Sequence, residues 1–221
     1  MIYVSFRDPK NGKIWRTDKD LNLICESVSV GSPEVRIYQE PVPGMDGVLD
    51  MTEHFGRITY GPRELTIRAG KTITDRYKQD SLVKNALHGR EMLITISDDP
   101  GHYYVGRIEV GEWIKQAGIG HVVLRAMCSP YKLRQQPTSV TTSVPESGTK
   151  ELILYNEGMP TVPTITASAA AKITWRSRTY AIEANKPYRN LDIELEPGAN
   201  VLQVAAAAGT TITAEYQEGS L

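Results

Sequence analysis

The sequence contains few of the residues from which metal and redox sites are built. Its 221 residues include two cysteines and four histidines. Cys25 and Cys128 lack the paired C-x-x-C spacing of a structural zinc site. The histidines, at positions 54, 88, 102 and 121, never stand two or four residues apart, as local metal ligands do. We expect no metal and no cofactor; a site assembled from distant segments is the remaining alternative.

The scarcity of cysteine also bears on the redox state of the chain. A protein made in a reducing cytoplasm keeps its thiols unbridged, and a free cysteine behaves as a small apolar residue. We therefore expect Cys25 and Cys128 to form no disulfide. At least Cys128 should be buried on a sheet.

The sequence also lacks a long apolar run and an excess of charge of either sign. No window approaches the ~20 apolar residues of a membrane span, and the N-terminal "MIYVSFRD" has no basic region before an apolar core. We expect no membrane association, and we expect the protein to be made in the cytoplasm. Lys and Arg number 25 against 26 for Asp and Glu, a formal net charge of -1. This balance gives no general electrostatic reason to bind nucleic acid.

Motifs of catalysis and nucleotide binding are missing as well. The sequence has no G-x-S-x-G, no G-x-x-x-x-G-K-[ST] and no G-x-G-x-x-G between a strand and a helix. Two carboxylate pairs could serve a hydrolase. However, Asp98 and Asp99 precede Pro-Gly as turn residues do, and Glu194 and Glu196 have the spacing of a solvated edge strand. The sequence therefore predicts no catalytic residues and no enzyme.

What the chain does contain is the pattern of a mainly β protein. Hydrophobic residues make up 40% and charged residues 23%, as in globular chains. Apolar and polar residues alternate in the segments 64–68 and 92–97, which predicts strands. Apolar residues from Thr74 to Leu87 instead fall close to helical spacing, with Thr74 as a cap and Gly89 as the end. We predict one helix near 74–87.

The distribution of polar residues predicts two domains. The runs 103–113 and 121–128 flank a turn-like segment, 115–120, and suit an antiparallel hairpin. The polar stretch "QQPTSVTTSVPESGTK" starts at Gln135, so we place the boundary there and divide the chain into domains 1–137 and 138–221. Apolar runs then recur about every ten residues, which predicts a small antiparallel sandwich. These runs are 152–154, 162–165, 173–175, 191–195, 201–204 and 211–216.

Aromatic residues of the second domain admit two interpretations. Trp175, Tyr180 and Tyr188 could form an exposed platform for a sugar ring, which would make the chain a carbohydrate-binding module. Single aromatic residues on strands are more often part of the core. We favour the core interpretation and keep carbohydrate binding as the alternative function.

The stretch "PGMDGVLDMTEHFG", residues 43–56, is the most unusual segment. Its acids lack the spacing of a helix-flanked calcium loop, and no helix follows it to bind phosphate. An apolar loop hinged by glycines is typical of an interface with another protein chain. Packing over the sheet of its own subunit is the alternative. The candidate interface residues are Gly44, Met45, Asp46, Gly47, Val48, Leu49 and Asp50.

Several segments occur in an order and at spacings that carry a family resemblance. They are "VPGMDGVLDMTEHFGRITYGPRELTIR", the helix end "ALHG", "ITISDDPGHYYVGRIEV" and "CSPYKL". Together they resemble the N-terminal domain of the distal tail proteins of long-tailed bacteriophages, over residues 25–134. The segments "YNEGMPTVPTI" and "LEPGANVLQV" are similar to the galectin-like C-terminal domain of that family.

The resemblance implies a structural role in a phage tail. Its fold would be an N-terminal β-sandwich with one helix, followed by a galectin-like antiparallel β-sandwich. Six copies would form a hub ring through their N-terminal domains, with the tail tube protein on one face and tail-tip or baseplate proteins on the other. The protein would then be made in the bacterial cytoplasm and reside in the virion at the tail tip. The chain has no room for an inserted carbohydrate-binding module, so direct host recognition is not expected.

Overall fold

The computed structural model describes residues 2–54, 56–72, 76–116 and 118–221. The chain divides into two compact units, Met1–Lys132 and Leu133–Leu221. Strand β11 (Lys132–Arg134) spans the division. The remaining elements of the first unit are β1 (Val4–Arg7), β2 (Ile14–Arg16), β3 (Ile24–Val30), β4 (Gln39–Glu40), β5 (Leu49–Asp50), β6 (Arg63–Thr72), α1 (Arg76–Leu87), β7 (Glu91–Ile96), β8 (His102–Val110), β9 (Ile114–Gln116) and β10 (Ile119–Cys128).

The first unit is built on a continuous antiparallel sheet. Its strand order is β2-β1-β7-β8-β10-β6-β3, and β9 pairs with the start of β10. Burial alternates along β10, as expected for a strand with one face on the core. The predicted hairpin is present as β8 and β10, although β8 ends at Val110. The segment predicted as its turn includes β9, which folds back on β10; Ala117 lies outside the described residues.

A buried threonine shows how this sheet encloses its core. Thr17 is fully buried, and its Oγ1 accepts hydrogen bonds from the Val4 amide at 3.1 Å and the Cys25 thiol at 3.3 Å. Thr17 follows β2 and Cys25 belongs to β3, which stand at opposite ends of the strand order. The sheet therefore curls over a single core, to which β1, β6, β7, β8, β10 and α1 all contribute.

Both cysteines are free and buried, which confirms the prediction of unbridged thiols. Burial raises the pKa of the Cys128 thiol to about 11, and burial also raises the pKa of Cys25. A thiol with a raised pKa carries little thiolate at neutral pH and is a poor nucleophile. The two residues therefore serve as apolar filling.

Helix α1 covers one face of the first unit. Val83 and Leu87 are fully buried, and the Gln79 Nε2 donates to the Leu21 carbonyl at 2.7 Å. Gly89, with a positive φ of 74°, follows the helix end, as glycine commonly does. The predicted helix near 74–87 is thus observed at 76–87. Its predicted cap, Thr74, lies outside the described residues.

The second unit is an antiparallel sandwich of two sheets. The strands of this unit are β12 (Thr138–Ser143), β13 (Thr149–Asn156), β14 (Thr164–Ala167), β15 (Ala171–Trp175), β16 (Arg178–Ile182), β17 (Gly198–Ala206), β18 (Thr211–Tyr216) and β19 (Gly219–Ser220). The two sheets have the orders β12-β18-β14 and β13-β17-β15-β16. Leu154, Ile165, Ile173, Leu202 and Ile212 are fully buried in one core cluster. The predicted fold class, mainly β with one helix, is confirmed across the described residues.

The second unit departs from the sequence prediction in two places. Strand β12 lies inside the segment that its composition marked as a linker. The run 191–195 is not a strand, because it forms only the isolated bridge of Leu195 with Thr161. Glu194 and Glu196 therefore do not line the face of an edge strand, and Glu196 instead pairs with Arg176 at 2.5 Å.

The aromatic residues belong to the core of the second unit. Trp175 is 7% exposed, and Tyr180 and Tyr188 pack against the same core cluster. Trp175 therefore offers no exposed platform for a sugar ring. This arrangement confirms the core interpretation of these residues.

Candidate subunit interface

The connection between β3 and β6 is a long excursion from the edge of the first sheet. We call residues 31–62 the arm. Near its base, the Gly61 amide donates to the Glu34 carbonyl at 2.7 Å, and the Arg36 amide donates to the Thr59 carbonyl at 2.9 Å. Farther out, β4 pairs with β5. The two sides of the arm are therefore tied together along its length as an extended hairpin.

The outer part of the arm contacts little of its own subunit. Every residue from Glu34 to Asp50 is exposed. Met45 is 46% exposed, and Val48 and Leu49 are each 47% exposed. The candidate interface residues thus lie together at the arm tip, which we define as residues 41–50. They do not fold over the sheet of their own subunit.

Two glycines shape the turns of the tip. Gly44 has a φ of 82° and Gly47 a φ of 84°, a region that residues with a Cβ rarely adopt. Apart from the adjoining residues, no described residue has an atom within 4 Å of the position that a Cβ would take at either glycine. Backbone conformation rather than crowding therefore favours glycine at both positions.

Asp50 and Thr52 stiffen the returning side of the arm. The Asp50 Oδ1 accepts a hydrogen bond from the Thr52 amide at 2.9 Å. The Thr52 Oγ1 in turn accepts one from the Tyr38 amide on the opposite side, at 3.2 Å. The hydroxyl and then the amide of Thr52 lower the pKa of the Asp50 carboxyl. This carboxylate acts within the arm, in the manner expected of an Asx turn.

Charge is distributed unevenly along the arm. Residues 37–54 contain neither lysine nor arginine. Their carboxylates are Glu40, Asp46, Asp50 and Glu53. Within the described part of the chain, Glu40 and Asp46 form no ion pair. The outer arm is therefore both apolar and acidic.

A groove of about 530 Å³ lies where the base of the arm meets the outer faces of β8 and β10. Its walls include Arg36, Val105, Arg107, Met127 and Pro130. Met127 is 55% exposed, although its neighbours Ala126 and Cys128 are buried. Sequence analysis missed this groove. The signal for it was an apolar residue, Met127, at an outward position of an alternating strand.

The residues weighed as catalytic or metal-binding have other partners. The Asp99 carboxylate lies 2.6 Å from the His102 Nδ1 and 2.9 Å from the Lys132 Nζ. Burial acts to raise the pKa of Asp99, but the bonds from Lys132 and His102 outweigh it and lower the pKa. Among the residues that the structure describes, no three His, Cys, Asp or Glu side chains are grouped to hold a metal. No helix in that part of the chain is long and apolar enough to cross a membrane.

Comparisons with known proteins identify a full-length likeness in fold. No family model and no curated protein matches the sequence. The chain is similar to the solved structure of the SPP1 Dit protein (gp 19.1), described as a paradigm of the hub adsorption apparatus in phages that infect Gram-positive bacteria. The TM-score is 0.66 at 18% sequence identity, over 100% of both chains. This chain therefore has the fold of a phage distal tail protein, as its sequence resemblance predicted.

Proposed function

We propose that this chain is a structural hub protein of a phage or prophage tail. In this proposal six copies form a ring through their first units, and the ring joins the tail tube protein to tail-tip or baseplate proteins. The role is architectural rather than catalytic, and the protein resides in the virion at the tail tip. The full-length likeness to a hub protein supports the class of function.

The observation that supports ring assembly most directly is the exposed arm tip. Met45, Val48 and Leu49 stand in a run where every side chain is exposed. Contiguous exposed apolar groups on a soluble protein are typical of protein–protein contact. We propose that Gly44, Met45, Asp46, Gly47, Val48, Leu49 and Asp50 form the interface with a neighbouring subunit.

The position of the arm favours a ring over a two-fold dimer. The arm leaves the first unit at one edge of its sheet, between β3 and β6. If it contacts a different surface of its neighbour, the interface is heterologous, and each copy offers both a donor and an acceptor surface. Heterologous contacts generate closed rings when the rotation between copies closes.

Solution mass and imaging of the purified full-length protein test the proposal. We expect a species with the mass of six chains, in equilibrium with monomer at low concentration, and six-fold rings in negative-stain images. A chain that stays monomeric at every concentration, or that forms only two-fold dimers, would contradict the hub ring. Binding to a glycan array without assembly would instead favour the alternative of a carbohydrate-binding module.

A further inference from the structure

The arm tip and the groove at the arm base are complementary in charge. The outer arm is acidic, whereas the groove exposes Arg36 and Arg107 beside a single lining carboxylate, Glu91. The Arg107 Nη1 donates to the Gly89 carbonyl at 2.6 Å, which positions its guanidinium. In the described parts of the chain neither arginine forms an ion pair with a carboxylate. With these two arginines against Glu91, the groove carries a net positive charge.

The two surfaces are also complementary in their apolar groups. Val105, Met127 and Pro130 contribute apolar surface to the groove. The tip contributes Met45 and Leu49, which are about half exposed. An interface with an apolar centre and a charged rim has the composition of many protein–protein contacts.

The tip of an arm does not fill the groove of its own subunit. Arg36 lies at the base of the arm and lines the groove, whereas the tip begins at Pro41. An extended chain rises about 3.3 Å per residue, so the five residues from Arg36 to Pro41 can separate the two by roughly 17 Å. The tip residues are accordingly exposed in the structure.

We propose that the groove of one subunit receives the arm tip of the next subunit, an inference that rests on the ring proposed above. Arg36 and Arg107 of the groove face Glu40 and Asp46 at and beside the neighbour's tip, while Met127 packs against the apolar side chains of that tip. Opposite charges across an interface fix its register and suppress wrong partners. The contact is heterologous, since the tip and the groove are different surfaces of the same chain.

Charge reversal with compensation tests the proposal in the full-length chain. We expect R36E/R107E to raise the concentration needed for half-assembly at least about tenfold, because like charges then meet across the interface. E40K/D46K should have a similar effect. The chain that carries all four changes should assemble within about threefold of wild type. Sedimentation velocity over a range of concentrations measures assembly, and thermal unfolding of each variant checks its fold.

Arg68→Glu is the matched control, because Arg68 is an exposed arginine of β6 outside the groove. It should assemble like wild type. If R36E/R107E lowers the melting temperature, R36Q/R107Q takes its place as the test. Weaker assembly of R36Q/R107Q would support the groove as the acceptor of the tip, and unchanged assembly would overturn it. Two results would overturn the groove as the acceptor but leave the hub ring standing. In the first, wild type forms rings and R36E/R107E assembles normally; in the second, the fourfold variant fails to recover assembly. A wild-type chain that never forms rings would overturn the hub ring as well.

Discussion

The arm of the first unit and the β15–β16 hairpin of the second unit treat their charges in opposite ways. In the hairpin, Arg178 lies 3.1 Å from Asp192, whose carboxylate also accepts a hydrogen bond from Tyr180. In the described part of the arm, Glu40 and Asp46 form no ion pair. Both arginines of this hairpin, Arg176 and Arg178, thus find a carboxylate within their own unit. The arm instead leaves carboxylates and apolar groups open, as expected of a surface that binds another molecule.

The two hairpins also differ in how far their apolar side chains are buried. Ile173 of β15 is fully buried and Trp175 is 7% exposed, whereas Met45 at the arm tip is 46% exposed. Burial of such a side chain contributes about 1.5 to 3 kcal/mol. The second unit gains that free energy when it folds. The arm can gain it only on association.

The most severe test of this contrast is the double substitution Met45→Ser and Leu49→Ser. Each side chain is about half exposed in the monomer, so loss of both should cost roughly 1.5 to 3 kcal/mol per contact and weaken ring assembly by about one to two orders of magnitude. The melting temperature of the monomer should change little, because neither side chain belongs to its core. Sedimentation and thermal unfolding measure the two effects separately.

The matched control is Ile153→Ser with Val201→Ser in the second unit. These residues face each other across β13 and β17 and are 44% and 45% exposed. The control should assemble normally. An arm variant that assembles like wild type, or that simply unfolds, would remove the basis for the interface.

A smaller effect is expected from Gly47→Ala. The φ of 84° at Gly47 costs an alanine about 1 to 2 kcal/mol, so the tip should leave its present conformation. We expect assembly about tenfold weaker, with little change in thermal unfolding. Gly101→Ala is the control, because Gly101 is equally open but has no positive φ. Equal assembly by both variants would show that the tip conformation is not recognised.

Asp99→Asn should affect stability and not assembly, because the Asp99 cluster is matched within the first unit. The pKa of Asp99 is lowered in the folded state, so its contribution is present above the unfolded pKa of about 3.9 and is lost as the pH falls through the lower folded value. Urea unfolding should therefore show a larger difference from wild type at pH 7 than at pH 3. The difference should stay below about 1 kcal/mol, because the side chain is 36% exposed. Equal destabilisation at both pH values would show that the ion pairs contribute nothing.

The smallest change is expected when the second unit is removed. We predict that residues 1–137 form rings at the same concentrations as the full chain, because the arm and the groove both belong to the first unit. Size-exclusion chromatography with light scattering measures the mass. A fragment that folds but stays monomeric, while the full chain assembles, would assign part of the interface to the second unit.

Alternation along the chain was sufficient to predict about half of the observed strands, among them β6, β8 and β10, and two of the failures have clear physical causes. Residues 191–195 alternate because Ile193 and Leu195 are buried, yet a strand also needs a neighbouring backbone, and only Leu195 finds one. Strand β12 consists of serine and threonine apart from Val140 and lies between Pro137 and Pro145, so its pairing with β18 leaves little trace in composition. The alternation of apolar residues reflects which side chains are buried, whereas backbone pairing between strands depends on partners distant in sequence.

The candidate interface shows the same limit. The glycines and apolar residues of 43–50 stand next to one another, so the tip could be predicted from the sequence. The groove joins Arg36 to Arg107 and Met127 through pairing of strands far apart in the chain. Only the folded sheet brings these residues together.

The hydrogen bonds between Tyr38, Thr52 and Asp50 have a consequence for the speed of assembly. A segment that must become ordered as it binds loses conformational entropy at that moment, which weakens and slows association. The arm bears much of that loss when the monomer folds. Encounters between subunits can therefore succeed without a refolding step, and the rate of growth should follow diffusion and salt-dependent attraction between the acidic tip and its acceptor.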